Sequence, residues 1–327
     1  MKFSMVGSFN LADGYLGAAK ALKRLGFEVD FIPAHRYLSE NPKEHVKLIL
    51  KDIEEQSPDY VLWWRSETLS GEQMELIYNK VNKPFILYSW DDPNQFDNQF
   101  KNIKRKCKYF DVCYTCCEGS IEEYLKCGAK RAIYCPPGYD PEIHFPEFDE
   151  KYVCDISLVC TNLYHGDIIT KKNHVSRKTL MEHFIFNFPD LDIRIYGSES
   201  LKEVFPNNYH GWMPFNESHK VFFNSKININ THIRPDGYKY LNERVAQIMG
   251  SQGFLLVDEV NGMSKLLTDE MNCEFMRLNS PKSIIDQVSR ILEDEDYRKN
   301  ISENARSFAS KNFTWDNWAR TVSSGLK

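Results

Sequence analysis

Through the first half of the chain, short apolar runs alternate with stretches whose apolar residues return at helical spacing. Lys2 to Phe9 reads as a strand, and Leu16, Ala19, Leu22 and Leu25 then mark one face of a helix that stops at Gly26. The pattern repeats as strand Glu28 to Pro33, helix Pro42 to Gln56, strand Tyr60 to Trp64, helix Gly71 to Asn82 and strand Phe85 to Trp90. It continues with a helix near Gln95 to Lys106, strand Asp111 to Thr115, helix Ser120 to Cys127 and strand Ala132 to Cys135. Strict alternation of this kind predicts a parallel sheet wrapped by helices.

Pro136, Pro137, Pro141 and Pro146 interrupt the rhythm and predict a linker. It then restarts: strand Val153 to Cys160, helix Arg177 to Phe188, strand Ile193 to Tyr196, helix Asn216 to Asn224, strand Lys226 to Thr231, helix Tyr238 to Gly250 and strand Phe254 to Val257. Ser280 and Pro281 open a further helix with Ile284, Ile285, Val288, Ile291 and Leu292 on one face. The expected fold is α/β, two Rossmann-like doubly wound domains over residues 1–145 and 146–327 facing across a cleft, with the last helix, about 312–327, packing back on the first domain. Ligands of such folds lie outside the carboxyl ends of the strands, so the loops after strands are where chemistry is expected.

A length of 327 residues suits two domains better than one. The balance of 41 basic against 46 acidic residues leaves a net charge of −5, which gives no bulk positive field for nucleic acid or anionic lipid. Eight of the nine cysteines fall between Cys107 and Cys160 without a paired C-x-x-C framework. Cys113, Cys116 and Cys117 therefore read as small apolar residues of a buried strand rather than as zinc ligands. No apolar run approaches the ~20 residues of a membrane span, and the start of the chain lacks the basic-then-apolar profile of a signal peptide. A cytoplasmic protein with reduced thiols and no resident metal is expected.

The loop from Gly7 to Gly14 lacks G-x-G-x-x-G spacing, so a dinucleotide fingerprint is missing. Gly14 and Gly17 fit either ordinary turns or a close approach of backbone to a ligand. Asp91 and Asp92, between Trp90 and Pro93, put two carboxylates directly after an apolar strand, where one is placed to act as a general base and both suit a helix N-cap. The segment Asn230 to Arg244 leaves a strand, passes Gly237 and enters a helix. Its backbone N–H groups and the cations Arg234, Lys239 and Arg244 suit a diphosphate. Tyr240, Arg244, Gln247 and Ser251 form a polar stripe along that helix, beside apolar Leu241, Val245 and Ile248. Among scattered histidines without metal spacing, His165 stands out beside Asn162 and Asp167 in a loop after a strand. Lys101, Lys104, Arg105, Lys106 and Lys108 read as a solvated helix face. Neither a G-x-S-x-G elbow nor a P-loop occurs.

Four stretches, taken in order, carry a resemblance. The first is Tyr88-Ser89-Trp90-Asp91-Asp92-Pro93. The second runs from Tyr109-Phe110-Asp111 through Cys127-Gly128-Ala129 to Pro136-Pro137-Gly138-Tyr139-Asp140-Pro141 and Pro146. The third is Cys154 to Val159, with Arg177 and Ile195-Tyr196-Gly197 downstream. The fourth joins Tyr209-His210-Gly211-Trp212, Asn224 to Asn230, Asn242-Glu243-Arg244-Val245 and Gly253 to Val257. Together they resemble the CgeB-like, spore-maturation type glycosyltransferases, a family of two-domain GT-B architecture.

The resemblance implies transfer of a sugar from a UDP-, GDP- or dTDP-sugar to a hydroxyl of a glycan, protein or small-molecule acceptor. The donor would sit on the second domain and the acceptor on the first. Donor-binding residues implied in this way are Asn162, Arg177, Gly197, Gly211, Trp212, Arg234, Gly237, Tyr238, Lys239, Arg244 and Gln247. Asp92, with Asp91 and Asp13 as alternatives, would take the acceptor proton without a divalent metal or other cofactor. Where Gln247 aligns, related families commonly carry a glutamate that grips the ribose hydroxyls; an amide offers one acceptor and two donors instead, and Glu243 or Glu259 could take over that contact. The rival readings are a glycosyltransferase acting on DNA bases, a degenerate protein that binds nucleotide sugar without turnover, and a dehydrogenase or epimerase.

Overall fold

A computed structural model describes residues 1–9, 14–89, 103–163, 176–232 and 237–326. The chain divides into two compact units, Met1–Gly138 together with Trp315–Lys327, and Tyr139–Thr314. In the first, strands β1 (Lys2–Gly7), β2 (Glu28–Ile32), β3 (Tyr60–Trp64), β4 (Phe85–Ser89), β5 (Val112–Thr115) and β6 (Ala132–Tyr134) make one sheet of order β2-β1-β3-β4-β5-β6. Every neighbouring pair is parallel. Successive side chains point to opposite faces, and both faces are buried: Val61 and Trp63 join one core cluster, Leu62 and Trp64 the other. Helices α1 (Tyr15–Arg24), α2 (Ala34–Glu40), α3 (His45–Gln56), α4 (Gly71–Lys80) and α5 (Ile121–Lys126) link the strands. A capping box between Ser70 and Gln73 starts α4.

The second unit has strands β7 (Cys154–Cys160), β8 (Ile193–Gly197), β9 (Ser225–Asn230), β10 (Leu255–Val257) and β11 (Glu274–Phe275) in the parallel order β11-β10-β9-β7-β8. Its helices are α6 (Arg177–Asn187), α7 (Ser200–Val204), α8 (Ser218–Asn224), α9 (Glu243–Gly250), α10 (Pro281–Glu293) and α11 (Glu295–Asn312). Numbered within each unit, both sheets run second, first, third, fourth, fifth strand. The direction of winding therefore reverses between β1 and β3 in one and between β7 and β9 in the other, the position where an open α/β sheet leaves room for a ligand.

The division falls at Gly138 and Tyr139 rather than at 145 and 146. Tyr139 donates its backbone N–H to the Phe313 carbonyl at 2.8 Å, and its ring lies so close to Gly250 that a Cβ there would meet it at 2.4 Å. Pro141 and Pro146 accordingly belong to the second unit. The C-terminal helix α12 (Trp315–Ser324) returns to the first unit, where Tyr114 Oη donates to the Val322 carbonyl at 2.8 Å and Arg24 pairs with Asp316 at 2.7 Å. A Cβ on Gly17 would lie 2.4 Å from Trp315 Cδ1. The close approach that this glycine permits is thus to α12, not to a ligand.

Three further expectations change. α9 begins at Glu243 instead of Tyr238, because Lys239 takes φ +51° and Asn242 caps the helix by accepting the Val245 N–H. Lys106 is fully buried, with its ammonium bonded to the carbonyls of Ser66 and Leu69, so it leaves the solvated face assigned to it. The nine cysteines are free thiols, all buried except Cys127, which is half-buried.

Candidate functional site

β7 and β9 lie side by side and parallel, so the loops that follow Cys160 and Asn230 emerge together. Arg177, the first residue of α6, ties them. Its Nε donates to Thr231 Oγ1 at 2.9 Å, its Nη2 to the Thr231 carbonyl at 2.8 Å and its Nη1 to the Asn162 carbonyl at 2.9 Å. Asn162 and Arg177 are therefore brought together, through the backbone oxygen of the former. Asn242 grips the same loop from the other side, with Nδ2 3.3 Å from both Asn230 Oδ1 and the Thr231 carbonyl.

Arg244 sits in the first turn of α9. Burial, and then the nearby Arg177 charge, pull its guanidinium down to about 10, with smaller opposing pulls from Cys160 and Glu243. Arg244 has no hydrogen bond or ion pair with a described residue, and its buried Nε has no partner. The Cys160 thiol is raised by burial and pulled the other way by the charges of Arg177 and Arg244. Two adjacent cations without a hydrogen-bonded carboxylate among the described residues make a costly arrangement that an anion relieves.

A second group of sequence-predicted residues follows β8. Gly197 has φ +146°, and a Cβ on it would fall 1.6 Å from the Cys160 carbonyl oxygen. Its N–H donates to the Gly211 carbonyl at 2.9 Å, and its own carbonyl accepts the Tyr209 hydroxyl at 3.0 Å. This glycine is thus required by the close passage of β8 against the end of β7. Trp212, beside it, is 54% exposed.

After β9, Gly237, Tyr238 and Lys239 form a turn rather than a helix start. The Lys239 N–H donates to the Asn261 carbonyl at 2.7 Å. Lys265 Nζ donates to Tyr238 Oη at 2.9 Å, and the ammoniums of Lys239 and Lys265 lie 5.6 and 5.4 Å from the Tyr238 ring centre. Gln247, in the middle of α9, is buried, as are Tyr240 and Ser251. Of the polar stripe read along this helix, Tyr240, Gln247 and Ser251 are interior and Arg244 is half-buried, and Tyr240 precedes the helix. Asp13, Asp91, Asp92, Arg234, His165 and Lys101 lie outside the described residues.

His232 and Asp258 are not singled out by sequence reasoning. Both are buried, and His232 Nδ1 lies 2.7 Å from Asp258 Oδ1. The available signal is positional: Asp258 directly follows β10 and His232 comes two residues after β9, and those strands are neighbours. Among the described residues, no group of three or more histidines, cysteines or acids is placed to hold a metal ion, and no helix is long and apolar enough to cross a membrane.

Residues 177–324 match the family model described as glycosyl transferase-like. None of the curated proteins matches the chain in sequence. Among solved structures, the chain is similar to sucrose-phosphate synthase from Thermosynechococcus elongatus, with 12% identity and a TM-score of 0.71 over 99% of this chain and 98% of that one. A glycosyltransferase from Rickettsia africae matches at 15% identity and a TM-score of 0.69, over 100% and 97% of the two chains. HepE from Anabaena, in complex with UDP and glucose, matches at 11% identity and a TM-score of 0.71, over 100% and 99%. At such identities the likeness is one of fold. The chain has two Rossmann-like α/β domains of the GT-B class, and the match over residues 177–324, which begins at the clamp arginine and includes Arg244, supports a glycosyltransferase family.

Proposed function

We propose that this chain is a glycosyltransferase of the CgeB-like type, moving a sugar from a nucleotide-diphosphate sugar to an acceptor hydroxyl. The observation that carries the reading is the pair Arg177 and Arg244 at the β7/β9 switch point, with Arg244 drawn down by burial and like charge and unpartnered among the described residues. A diphosphate supplies the missing negative charge and accepts the guanidinium N–H groups. The glycosyl transferase-like match over this unit supports it, as does the shared fold of the Anabaena protein that holds UDP and glucose.

In this reading the diphosphate lies against Arg244 and Arg177, with Arg234 and Lys239 as further cations. The base rests by the loops of Gly197, Gly211 and Trp212, the first unit takes the acceptor, and Asp92 receives its proton. The cations stabilise the departing diphosphate in place of a divalent ion. Lys106, buried in the first unit, breaks the basic strip that a DNA-base acceptor requires.

Thermal shift and titration against UDP-, GDP-, dTDP- and CMP-sugars test the proposal. Arg244→Ala is expected to raise the nucleotide Kd by about 10- to 100-fold, the ~1.5–3 kcal/mol of a hydrogen bond to a charged group. An unchanged Kd, or no binding by the natural chain, overturns it. Turnover is expected to survive EDTA; loss restored by Mn²⁺ removes the metal-free part. Gln247, with a single acceptor oxygen, favours one second reading, a nucleotide-sugar binder without turnover. Donor binding without hydrolysis or transfer selects that reading.

A further inference from the structure

His232 follows β9 by two residues and Asp258 follows β10 directly, on neighbouring parallel strands. The Asp258 carboxylate accepts the His232 backbone N–H, at 3.1 Å to Oδ1 and 3.0 Å to Oδ2, and its Oδ1 lies 2.7 Å from His232 Nδ1. A carboxylate only accepts, so Nδ1 carries a proton, and in a ring with that single proton Nε2 is an acceptor. The Tyr240 ring, 5.5 Å away and steeply inclined, holds the imidazole from the side. Nε2 is buried and has no hydrogen-bond partner.

Two donors nearby share that condition. Asn230 Nδ2, at the end of the same strand, and Arg244 Nε, in the first turn of α9, are buried and unpartnered. Asn242, which caps α9 two residues before Arg244, bonds both Asn230 Oδ1 and the Thr231 carbonyl, and so ties the end of β9, just before His232, to the start of α9. A buried donor or acceptor left without a partner is unfavourable, and a ligand that supplies the partner relieves it. An anion alone answers only the two donors. A ligand that answers all three brings a hydroxyl hydrogen beside its anionic oxygens, as the sugar of a nucleotide-diphosphate sugar does.

We infer that His232 recognises the donor sugar: its Nε2 accepts a hydroxyl hydrogen of the sugar, while Asp258 is a positioning residue that fixes the tautomer and the ring. This rests on the nucleotide-sugar reading above. The consequence is a division of labour at one sheet edge, where Arg177 and Arg244 hold the diphosphate and His232 distinguishes a sugar-bearing nucleotide from a bare one.

The experiment is titration of the natural chain, His232→Phe and His232→Gln with UDP and UDP-glucose and with GDP and GDP-mannose, carrying forward whichever pair the natural chain binds more tightly. In His232→Phe the Kd of the sugar nucleotide is expected to rise at least about tenfold, while that of the matching diphosphate stays within about twofold. His232→Gln keeps an acceptor oxygen and is expected to recover part of the loss. Equal rises for both ligands, or no rise for either, overturn the assignment and leave the His232 to Asp258 contact as a strand-end staple. If no nucleotide binds the natural chain, the nucleotide-sugar reading falls first and this inference with it. Should the variants not fold, ¹⁵N-labelled histidine in the natural chain gives the answer. The His232 Nε2 resonance is expected to move on adding the sugar nucleotide and to stay with the diphosphate; the same response to both overturns the assignment.

Discussion

At the switch point of the first unit, Trp64 closes β3 beside Tyr88 of β4, with ring centres 4.9 Å apart, and Trp315 and Trp318 of α12 each lie 5.7 Å from Trp64. The buried Lys106 ammonium of that unit is bonded to the Ser66 and Leu69 carbonyls. At the switch point of the second unit, Arg177 clamps two loops and Arg244 has no partner among the described residues. Over the first five strands of each unit the strand order is the same. Topology therefore sets where a ligand site can lie, and side chains decide whether charge is closed within the protein or left for a ligand.

The largest expected effect breaks the second edge. Gly197→Ala puts a Cβ 1.6 Å from the Cys160 carbonyl at φ +146°, and β7 has to move away. A loss of about 4 kcal/mol or more is expected in urea unfolding, or no folded protein at all. Gly211→Ala, at φ +92° with open space around it, is expected to cost only the ~1–2 kcal/mol of a left-handed residue. Similar costs for the two would show that the passage against β7 is not what requires Gly197. Next comes Trp318→Ala in the first unit, expected to cost about 3–5 kcal/mol through its contacts with Trp64 and Tyr88. Nucleotide Kd should stay within about twofold, because the cations proposed to hold the donor, Arg177 and Arg244, belong to the other unit. A large rise in Kd would erase the contrast between the two edges.

How much of this is legible in the sequence follows from what is buried. Strands covered on both faces are continuous apolar runs, so Tyr60 to Trp64 is read with its observed bounds. Helix α2 escapes because only Ala34 of its seven residues is buried, which leaves no stripe to detect. Strand β11 is two residues long, too short for any period. Lys106 misleads because its neighbours are basic, and the carbonyls that bury it come from 37 and 40 residues earlier. Arg177 and Arg244 are visible as cations near strand ends, but their mutual proximity needs the β7 and β9 pairing. His232 and Asp258, 26 residues apart, meet for the same kind of reason.

The pH dependence of stability separates the units further. In the second unit, burial first, then the His219 charge, pull His144 down to about 3, and neither ring nitrogen has a partner. Unfolded, the ring takes up a proton near its ordinary 6.5; folded, it does so only near 3. Its contribution is thus complete above pH 6.5 and lost as pH falls towards 3, roughly 5 kcal/mol in all. His144→Phe keeps an aromatic ring against Phe215, 5.0 Å away, and is expected to flatten the acid slope. A slope unchanged in the variant would remove His144 from the account.

Lys106 in the first unit acts at the other end of the scale and more weakly. Burial pulls its ammonium from 10.5 to about 8, against a smaller opposing pull from Glu67. Between those values the unfolded chain holds a proton that the folded protein has released, so this group's contribution rises with pH from about 8 to 10.5, by about 3 kcal/mol. Burial of Tyr114, Tyr124 and Cys113 raises those groups and drives stability the opposite way over the same range, which hides the effect in the natural chain alone. The difference between the natural chain and Lys106→Met isolates it, since the tyrosines and thiols are common to both. That difference should grow in favour of the natural chain from pH 8 upward. A flat difference would mean that Lys106 keeps its proton. Its charge would then be as fully compensated by the Ser66 and Leu69 carbonyls as Arg244 is uncompensated in the second unit.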